Sequence, residues 1–429
     1  MSIIFNLLLL HKEYDVHPRS WICIKGNEIE KLVLKLEIEI KSQNNINREE
    51  LSKIISKRLN CSYTVIKKVL QGNREFYPIA VILEMANLCK SKKKYLDKIT
   101  ERIEFLKVNS ASSKPVIALK TLTIDLAKII GAFMADGSLS YQIIVASKNH
   151  EGLYEAKKTL KKLNFKVSEA YSNARKEYFI SFNPNYNNFN KAEKIIKLFS
   201  RRFQIQTHMQ IELTEEYKNS VEAFNKWIEN CFGIKPSSFY KRENAWRSIF
   251  SNKILGRYLI CFFGMKSGYK ADIAFEPEII KNSSIHIRKA FALGVLTFDG
   301  SSSITGNITF TTKSKNLFDS IGSILIKNNI NFGTRFVRGT YYNITTYKNN
   351  NYRKLNELFE KNTVKWMRFR ESYKKVERNN FEVRYKKFSQ SKVTFDKLIQ
   401  VLNKVKVCDI IFLAKYFNCS HSNIVHYLN

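Results

Sequence analysis

The stretch IIGAFMADG at residues 129–137 occurs a second time, in altered form, as ALGVLTFDG at residues 292–300. Each copy is an apolar helical pattern with a central glycine, and it closes on Asp-Gly, where a glycine commonly ends a helix. A glycine inside a helix costs roughly 0.5–1 kcal/mol relative to alanine, and close approach of another backbone is one reason to keep it. We therefore predict that two helices pack through Gly131 and Gly294.

This packing would bring Asp136 and Asp299 side by side at one end of the helix pair. Two neighbouring carboxylates repel each other unless a cation lies between them. The pattern therefore indicates a hard divalent metal, with Mg²⁺ as the leading candidate.

The composition points to a polyanionic partner. The 429 residues include 72 Lys and Arg against 38 Asp and Glu, which gives a net charge of +34. Nucleic acid is the leading candidate and an anionic membrane surface the second. The sequence lacks an apolar run long enough to span a bilayer and the features of a signal peptide. Its seven cysteines show no CxxC spacing, so we expect neither a disulfide framework nor a zinc site, and a cytoplasmic, nucleoid-associated protein.

Residues 1–115 are predicted to form a small all-α N-terminal domain with a helix-turn-helix at about residues 47–72. Asn47 with the acidic residues after it is typical of a helix start. Asn60-Cys61-Ser62 forms a tight turn before a second helix, Tyr63–Leu70. Four residues of this helix are expected to enter a DNA groove: Tyr63, Thr64, Lys67 and Lys68.

The C-terminal segment, residues 386–429, repeats this pattern. Asn418-Cys419-Ser420 matches the first turn, and apolar residues follow at the same intervals. We predict a second helix-turn-helix rather than a metal site built on its histidines, because no fourth ligand is evident. The predicted DNA contacts are His421, Ser422 and Asn423.

An internal repeat occupies the region between these segments. Each motif is followed by a strand pattern and then by Ser-Lys-Asn, at residues 147–149 and 314–316, and a helical run comes next. The repeating unit is read as α-β-β-α-β-β-α, and two such units can pair about a pseudo-twofold axis. The predicted boundaries are residues 116–285 for the first unit and 286–385 for the second.

These duplicated, glycine-centred helices ending in Asp-Gly resemble the LAGLIDADG homing endonucleases. The resemblance covers roughly residues 121–385, and the landmarks between the motifs strengthen it: Gly264-Met265-Lys266, Lys270 and Pro277-Glu278. It implies an α+β fold in which two four-stranded sheets form a saddle over double-stranded DNA. It also implies a free-standing chain with both motifs, which is expected to act as a monomer.

The resemblance further implies the site residues. Asp136 and Asp299, with Gly137 and Gly300 after them, would hold Mg²⁺ or Mn²⁺ ions that activate water and stabilise the leaving oxygen. Lys270, and Lys365 as its counterpart in the second unit, would orient water or neutralise phosphate. Three further lysines near the strands are predicted to contact DNA: Lys148, Lys313 and Lys315.

Three functions remain open at this stage. The retained aspartates favour a site-specific, metal-dependent DNA endonuclease. A non-cutting DNA-binding regulator is the alternative, since Phe298 places a bulky ring where the family has a small residue and could separate the helices or displace a metal. An RNA intron maturase is the third possibility.

Overall fold

The computed structural model describes residues 3–372, except 13–14, 16, 73, 111, 174–175, 186, 201, 269, 304–306, 338 and 347–351. The predicted C-terminal helix-turn-helix, with His421, Ser422 and Asn423, lies outside the described residues. Within them, no helix is both long and apolar enough to cross a membrane.

The N-terminal region combines helices with a small sheet. Its elements are β1 (Ile22–Lys25), α1 (Ile29–Asn44), α2 (Arg48–Arg58), α3 (Tyr63–Leu70), β2 (Tyr77–Pro78), α4 (Ile79–Asn87), α5 (Lys92–Arg102), β3 (Phe105–Val108) and β4 (Val116–Ile117). The four strands form an antiparallel sheet in the order β2-β1-β3-β4. The prediction of an all-α domain is therefore wrong, because the short apolar runs that carry no helical period pair as strands.

Helices α2 and α3 lie where the sequence predicts a helix-turn-helix. The Asn47 side chain accepts from the Glu50 amide, and the Glu50 carboxylate accepts from the Asn47 amide, so a reciprocal capping box starts α2. The use of this helix pair as a DNA reader stays a prediction. Strand β4 lies directly after residue 115, the predicted end of the N-terminal domain, and the Ala118 amide donates to the Glu104 carbonyl.

The central region holds a six-stranded antiparallel sheet in the order β6-β7-β5-β8-β10-β9. Its elements are α6 (Ile124–Asp136), β5 (Gly137–Ser147), α7 (His150–Lys162), β6 (Val167–Ser172), β7 (Glu177–Phe182), α8 (Phe189–Phe199), β8 (Gln204–Glu215), α9 (Lys218–Phe232), β9 (Ser238–Arg242), β10 (Ala245–Ser251) and α10 (Lys253–Phe263).

A four-stranded antiparallel sheet follows, in the order β11-β12-β14-β13. Its elements are α11 (Glu278–Lys281), α12 (Ile285–Asp299), β11 (Gly300–Ser302), β12 (Ile308–Thr312), α13 (Lys315–Lys327), β13 (Phe332–Val337), β14 (Tyr341–Thr346) and α14 (Tyr352–Asn356). From α12 to α14 the order of elements is the predicted α-β-β-α-β-β-α. The chain is thus a mixed α/β protein with antiparallel sheets.

The first unit departs from the predicted order. Gly137 after the first motif pairs with Leu213 in β8, just as Gly300 pairs with Phe310 in β12. Strand β8, and not a strand directly after β5, therefore corresponds to β12. Residues 148–203, called the inserted segment from here on, stand where the second unit has only the turn between β11 and β12. The predicted equivalence of the two Ser-Lys-Asn sequences is wrong, because helix α9 and not α7 matches α13.

The inserted segment carries its own module. Strand β5 with α7, β6, β7 and α8 repeats the arrangement of β8 with α9, β9, β10 and α10, and of β12 with α13, β13, β14 and α14. In each group the third strand lies between the first and second. The apolar residues of the inserted segment form a separate core that includes Leu153, Leu160 and Ile180.

The main hydrophobic core runs without interruption from Phe5 through both motif helices to Phe369. The N-terminal region therefore shares a core with the motif-bearing part of the chain. The sequence-based domain boundaries stay predictions.

Candidate active site

The two motif helices, α6 and α12, touch through their central glycines. A Cβ on Gly131 would lie 2.1 Å from the carbonyl oxygen of Phe291, and a Cβ on Gly294 would lie 2.2 Å from the carbonyl oxygen of Lys128. No real Cβ approaches a backbone atom so closely, so both positions require glycine for contact between backbones. The contact is reciprocal, since each glycine meets the carbonyl three residues before the other.

The helices end at Asp136 and Asp299, and the glycines that follow leave in extended conformation. Gly137 has a φ of −79° and Gly300 a φ of −77°. A left-handed helix end is thus not why glycine stands here. A Cβ on Gly137 would lie 2.7 Å from Cα of Phe133, and one on Gly300 would lie 2.3 Å from the Leu296 carbonyl oxygen. Glycine lets each strand start directly against its own helix.

Asp136 and Asp299 both have a raised pKa. Partial removal from solvent is the largest cause that raises the pKa of both carboxyl groups, and the negative charge of Glu215 adds to it. Repulsion from Asp136 raises the pKa of Asp299 further. The Asp136 side chain keeps contact with solvent, which weakens the repulsion and leaves the carboxylate open to a ligand.

Each motif end also holds a lysine. Lys270 Nζ donates to the carbonyl oxygens of Met134 and Ala135 at 3.1 and 3.0 Å, just before Asp136. Lys365 donates to the carbonyl oxygen of Phe298, just before Asp299. Burial lowers the pKa of Lys270 to about 8, while the two aspartates oppose this shift. The structure therefore brings the four predicted catalytic residues into one cluster.

Glu215 is a fifth charged member that the sequence reasoning missed. Its Oε2 lies 3.0 Å from Lys365 Nζ, and its side chain is only 6% exposed. Alternate residues of β8 are buried: Ile205, Thr207, Met209, Ile211, Leu213 and Glu215. In the sequence, Glu215 continues the alternating apolar positions of this strand, which predicts that it is buried. A buried carboxylate requires a charged or hydrogen-bonding partner, so this position indicates a site.

Phe298 does not separate the motif helices. Its ring packs edge-on against Phe224 and Trp227 of α9, with centroid distances of 6.3 and 6.4 Å. The side chain is 2% exposed. The expectation that the ring disturbs the helix contact is therefore wrong, since it occupies an aromatic pocket on α9.

The face of the six-stranded sheet turned away from its helices, called the open face, is mostly polar near the motif. Ser140 of β5 pairs with Gln210 of β8, and Gln142 pairs with His208. The second sheet likewise presents Thr311 and Asn343, whose side chains hydrogen-bond at 2.9 Å. Hydroxyl and amide groups of this kind can donate to and accept from base edges.

The remaining predicted DNA contacts are spread over the surface. Lys148 and Lys315 are exposed, and Lys315 pairs with Asp319 at 3.2 Å. Lys313 is half-buried over the Tyr341 ring. On α3, Thr64, Lys67 and Lys68 are exposed and Tyr63 is half-buried.

The carboxylates of Asp136 and Asp299 fit a metal ion whose remaining ligands would come from water and a substrate. Among the described residues, no three His, Cys, Asp or Glu side chains come together as a metal site. Two carboxylates alone match Mg²⁺, which proteins commonly hold with one or two carboxylates while water and substrate phosphates complete its shell. Asp136 and Asp299 could hold such ions, with the backbone at Gly137 and Gly300 next to them.

Comparison with known proteins gives a distant likeness. No protein family model matches the sequence, and no curated protein matches it. Among solved structures, the chain is similar to one of mesophilic variants of the homing endonuclease I-DmoI, with 11% identity and a TM-score of 0.31 over 55% of this chain and 94% of that one. It is also similar to I-DmoI in complex with DNA and Mn, with 11% identity and a TM-score of 0.29 over 52% and 89%. At these TM-scores the likeness carries no argument about activity.

Proposed function

We propose that this chain is a site-specific double-strand DNA endonuclease of the homing type, which hydrolyses phosphodiester bonds with divalent metal ions. The observation that carries the proposal is the cluster of Asp136, Asp299, Lys270 and Lys365 at the joined ends of the two motif helices. Such a pair of carboxylates is costly to keep together without a cation.

The arrangement supports one motif aspartate for each DNA strand. The reciprocal glycine contact of α6 and α12 is what a pseudo-twofold axis between the units would produce, and such an axis suits the two strands of a duplex. Since both motifs lie in one chain, we propose a monomer. A cytoplasmic, nucleoid-associated location is part of the same proposal.

The chain's own residues would prepare the reaction. Bound Mg²⁺ or Mn²⁺ would supply Lewis-acid stabilisation of the phosphoryl and leaving oxygens. Lys270 and Lys365, fixed by backbone carbonyls beside the aspartates, would each face a phosphate or an attacking water. The polar open face would bind and orient the duplex, and the net charge of +34 would strengthen that binding.

The test is cleavage of DNA taken from the neighbourhood of the gene, with a library of random sites as a second substrate. We expect nicking and double-strand cleavage with Mg²⁺ or Mn²⁺, and none in EDTA. Asp136→Asn and Asp299→Asn should remove cleavage, while Asp97→Asn, at an exposed aspartate of α5, should not. Specific DNA binding without any cleavage would instead support the regulator, and a preference for intron RNA would support the maturase.

A further inference from the structure

We propose that the inserted segment, together with the outer parts of β5 and β8, forms a third DNA-contacting lobe beside the two motif-bearing units. The proposal rests on the DNA binding proposed above, and it assigns an interaction surface to residues that carry no part of either motif. Four observations support it: sheet continuity, module topology, surface chemistry and charge.

The open face continues across the inserted segment without a break. Ser168 of β6 pairs with Ser181 of β7, and Ser181 pairs with Ile144 of β5. Ile144 in turn pairs with Gln206 of β8. Paired residues of neighbouring strands point to the same side of a sheet. These four residues therefore lie on the open face, together with Ser138 and Ser140, which follow Asp136 in the chain.

In the lobe, as in the other two modules, helices cover one side of the strands and leave the other side open. Its helices α7 and α8 cover one side of β5, β6 and β7, and they bury Leu153, Leu160 and Ile196 there. The opposite side stays open, as it does where α9 backs its strands. A duplex lying along the open face near Asp136 therefore meets the inserted segment next.

The chemistry of this face suits bases and phosphates. Most of the residues that line a depression at its end are polar, among them Gln142, Asn164, Lys166, Ser168, Ser181 and Asn183. Side-chain amides can bond to the edges of bases in the major groove, and a lysine can neutralise a phosphate.

Charge favours the same partner. The inserted segment contains 13 Lys and Arg against 5 Asp and Glu. An anionic duplex is thus attracted to the lobe as well as to the motif-bearing units.

The lobe makes the DNA contact longer on one side. Two extra strands widen the sheet by about 10 Å, since neighbouring strands lie roughly 4.8 Å apart. At about 3.4 Å per base pair, this equals about three further base pairs. The proposed footprint is therefore asymmetric about the cleavage position, with the longer arm on the side of the first motif.

The test compares two exposed lysines of the inserted segment in the full chain. Lys166 lines the depression, whereas Lys158 lies on α7, on the helical side of the sheet. We would measure binding of a mixed-sequence duplex in EDTA over a range of salt concentrations. For Lys166→Glu we expect weaker binding and a salt slope that is less steep by about 0.9, the value of one lost phosphate contact. Lys158→Glu should retain the wild-type slope.

A second measurement uses hydroxyl-radical footprinting on an intact duplex that contains the cleavage site. In the complex with Lys166→Glu, the DNA at the outer end of the longer arm should lose protection. Equal slopes for wild type and both variants, or equal losses in both variants, would overturn the lobe while wild-type cleavage still supported the nuclease. If wild type does not cleave but Lys166→Glu alone loses DNA affinity, the proposed lobe is supported and the proposed nuclease activity is contradicted. A wild type that binds no duplex would overturn both.

Discussion

Glu215 and Lys365 form an ion pair with 3.0 Å between Oε2 and Nζ, and this contact makes the two lysines of the site unequal. Lys270 has backbone carbonyls as its hydrogen-bond partners, and within the described residues it forms no ion pair. Thr312 stands in β12 at the register position that Glu215 has in β8. The two halves of the site therefore share their aspartate and lysine but differ in what surrounds them.

Removing Lys365 should cost more stability than removing Lys270. Lys365→Met leaves Glu215 buried without its partner, and breaking a buried ion pair in this way costs about 3–5 kcal/mol. Lys270→Met breaks no ion pair among the described residues, so its loss should be smaller. Urea denaturation of both variants gives the comparison.

A partner substitution separates this cause from general damage at the site. Glu215→Gln combined with Lys365→Met removes the unpaired charge, and the double variant should regain most of the lost stability. Equal losses in the two lysine variants, or no recovery in the double variant, would show that the ion pair does not hold Lys365.

The motif aspartates should destabilise the metal-free protein at neutral pH. Their pKa values are raised in the folded chain, so folding favours the protonated forms, and stability rises as the pH falls through the folded pKa values. We expect Asp136→Asn and Asp299→Asn to raise the melting temperature in EDTA at pH 8 and to have little effect at pH 4.

Added Mg²⁺ should reverse the order of stability. Ligand binding to the folded state stabilises it by mass action, so wild type should gain melting temperature with Mg²⁺ while the asparagine variants should gain less. A wild type that is more stable than both variants in EDTA at pH 8 would contradict the proposed repulsion.

The central glycines of α6 and α12 should not tolerate even a methyl group. A Cβ at Gly131 or Gly294 would meet a backbone oxygen at 2.1 or 2.2 Å, and backbone cannot move aside as a flexible side chain can. We expect Gly131→Ala to destabilise the fold by about 3 kcal/mol or more, above the ordinary range of overpacking. Thermal unfolding followed by circular dichroism measures the loss.

Gly322 provides the matched control on another helix. A Cβ there would lie 3.4 Å from the Phe332 ring, which is ordinary contact distance. Gly322→Ala should therefore be neutral or stabilising by up to about 1 kcal/mol, through helix propensity alone. Similar losses at Gly131 and Gly322 would show that the glycines of the motif do not serve a backbone contact.

Most of the local structure can be predicted from the sequence, and so can the contact between helices α6 and α12. The predicted helix Tyr63–Leu70 agrees with the structure to the residue. Each element carries its own hydrophobic period or cap, and the repeated Gly and Asp-Gly positions in the sequence predict the helix contact. The structure adds the reason for Gly137 and Gly300, where a Cβ would meet the helix that precedes each strand.

Strand pairing was not readable in the same way. Helices α7 and α13 start with similar polar caps, so the sequence around residue 149 resembles the sequence around residue 316 although the elements occupy different places in their modules. Because the chain contains three modules of one topology, a helix of one module can be aligned with the equivalent helix of either other module. Only the pairing of β5 with β8 shows that α9, and not α7, corresponds to α13. Glu215 was missed for a related reason, since its importance depends on Lys365, 150 residues later.

Phe298 should matter for stability and not for the chemistry of its neighbour Asp299. Its buried ring packs on Phe224 and Trp227 of α9, so Phe298→Ala should cost about 3–5 kcal/mol through the cavity it leaves. The carbonyl that accepts from Lys365 belongs to the backbone and stays in the variant. Cleavage per folded molecule, measured well below the melting temperature, should therefore remain close to wild type.

Phe250→Ala is the control, because this equally buried ring also contacts Phe224 but lies on β10, away from the motif helix. The two variants should lose similar stability and retain similar cleavage. If Phe298→Ala alone abolishes cleavage while folded, the ring positions Asp299 directly, and the aromatic pocket on α9 becomes part of the active site.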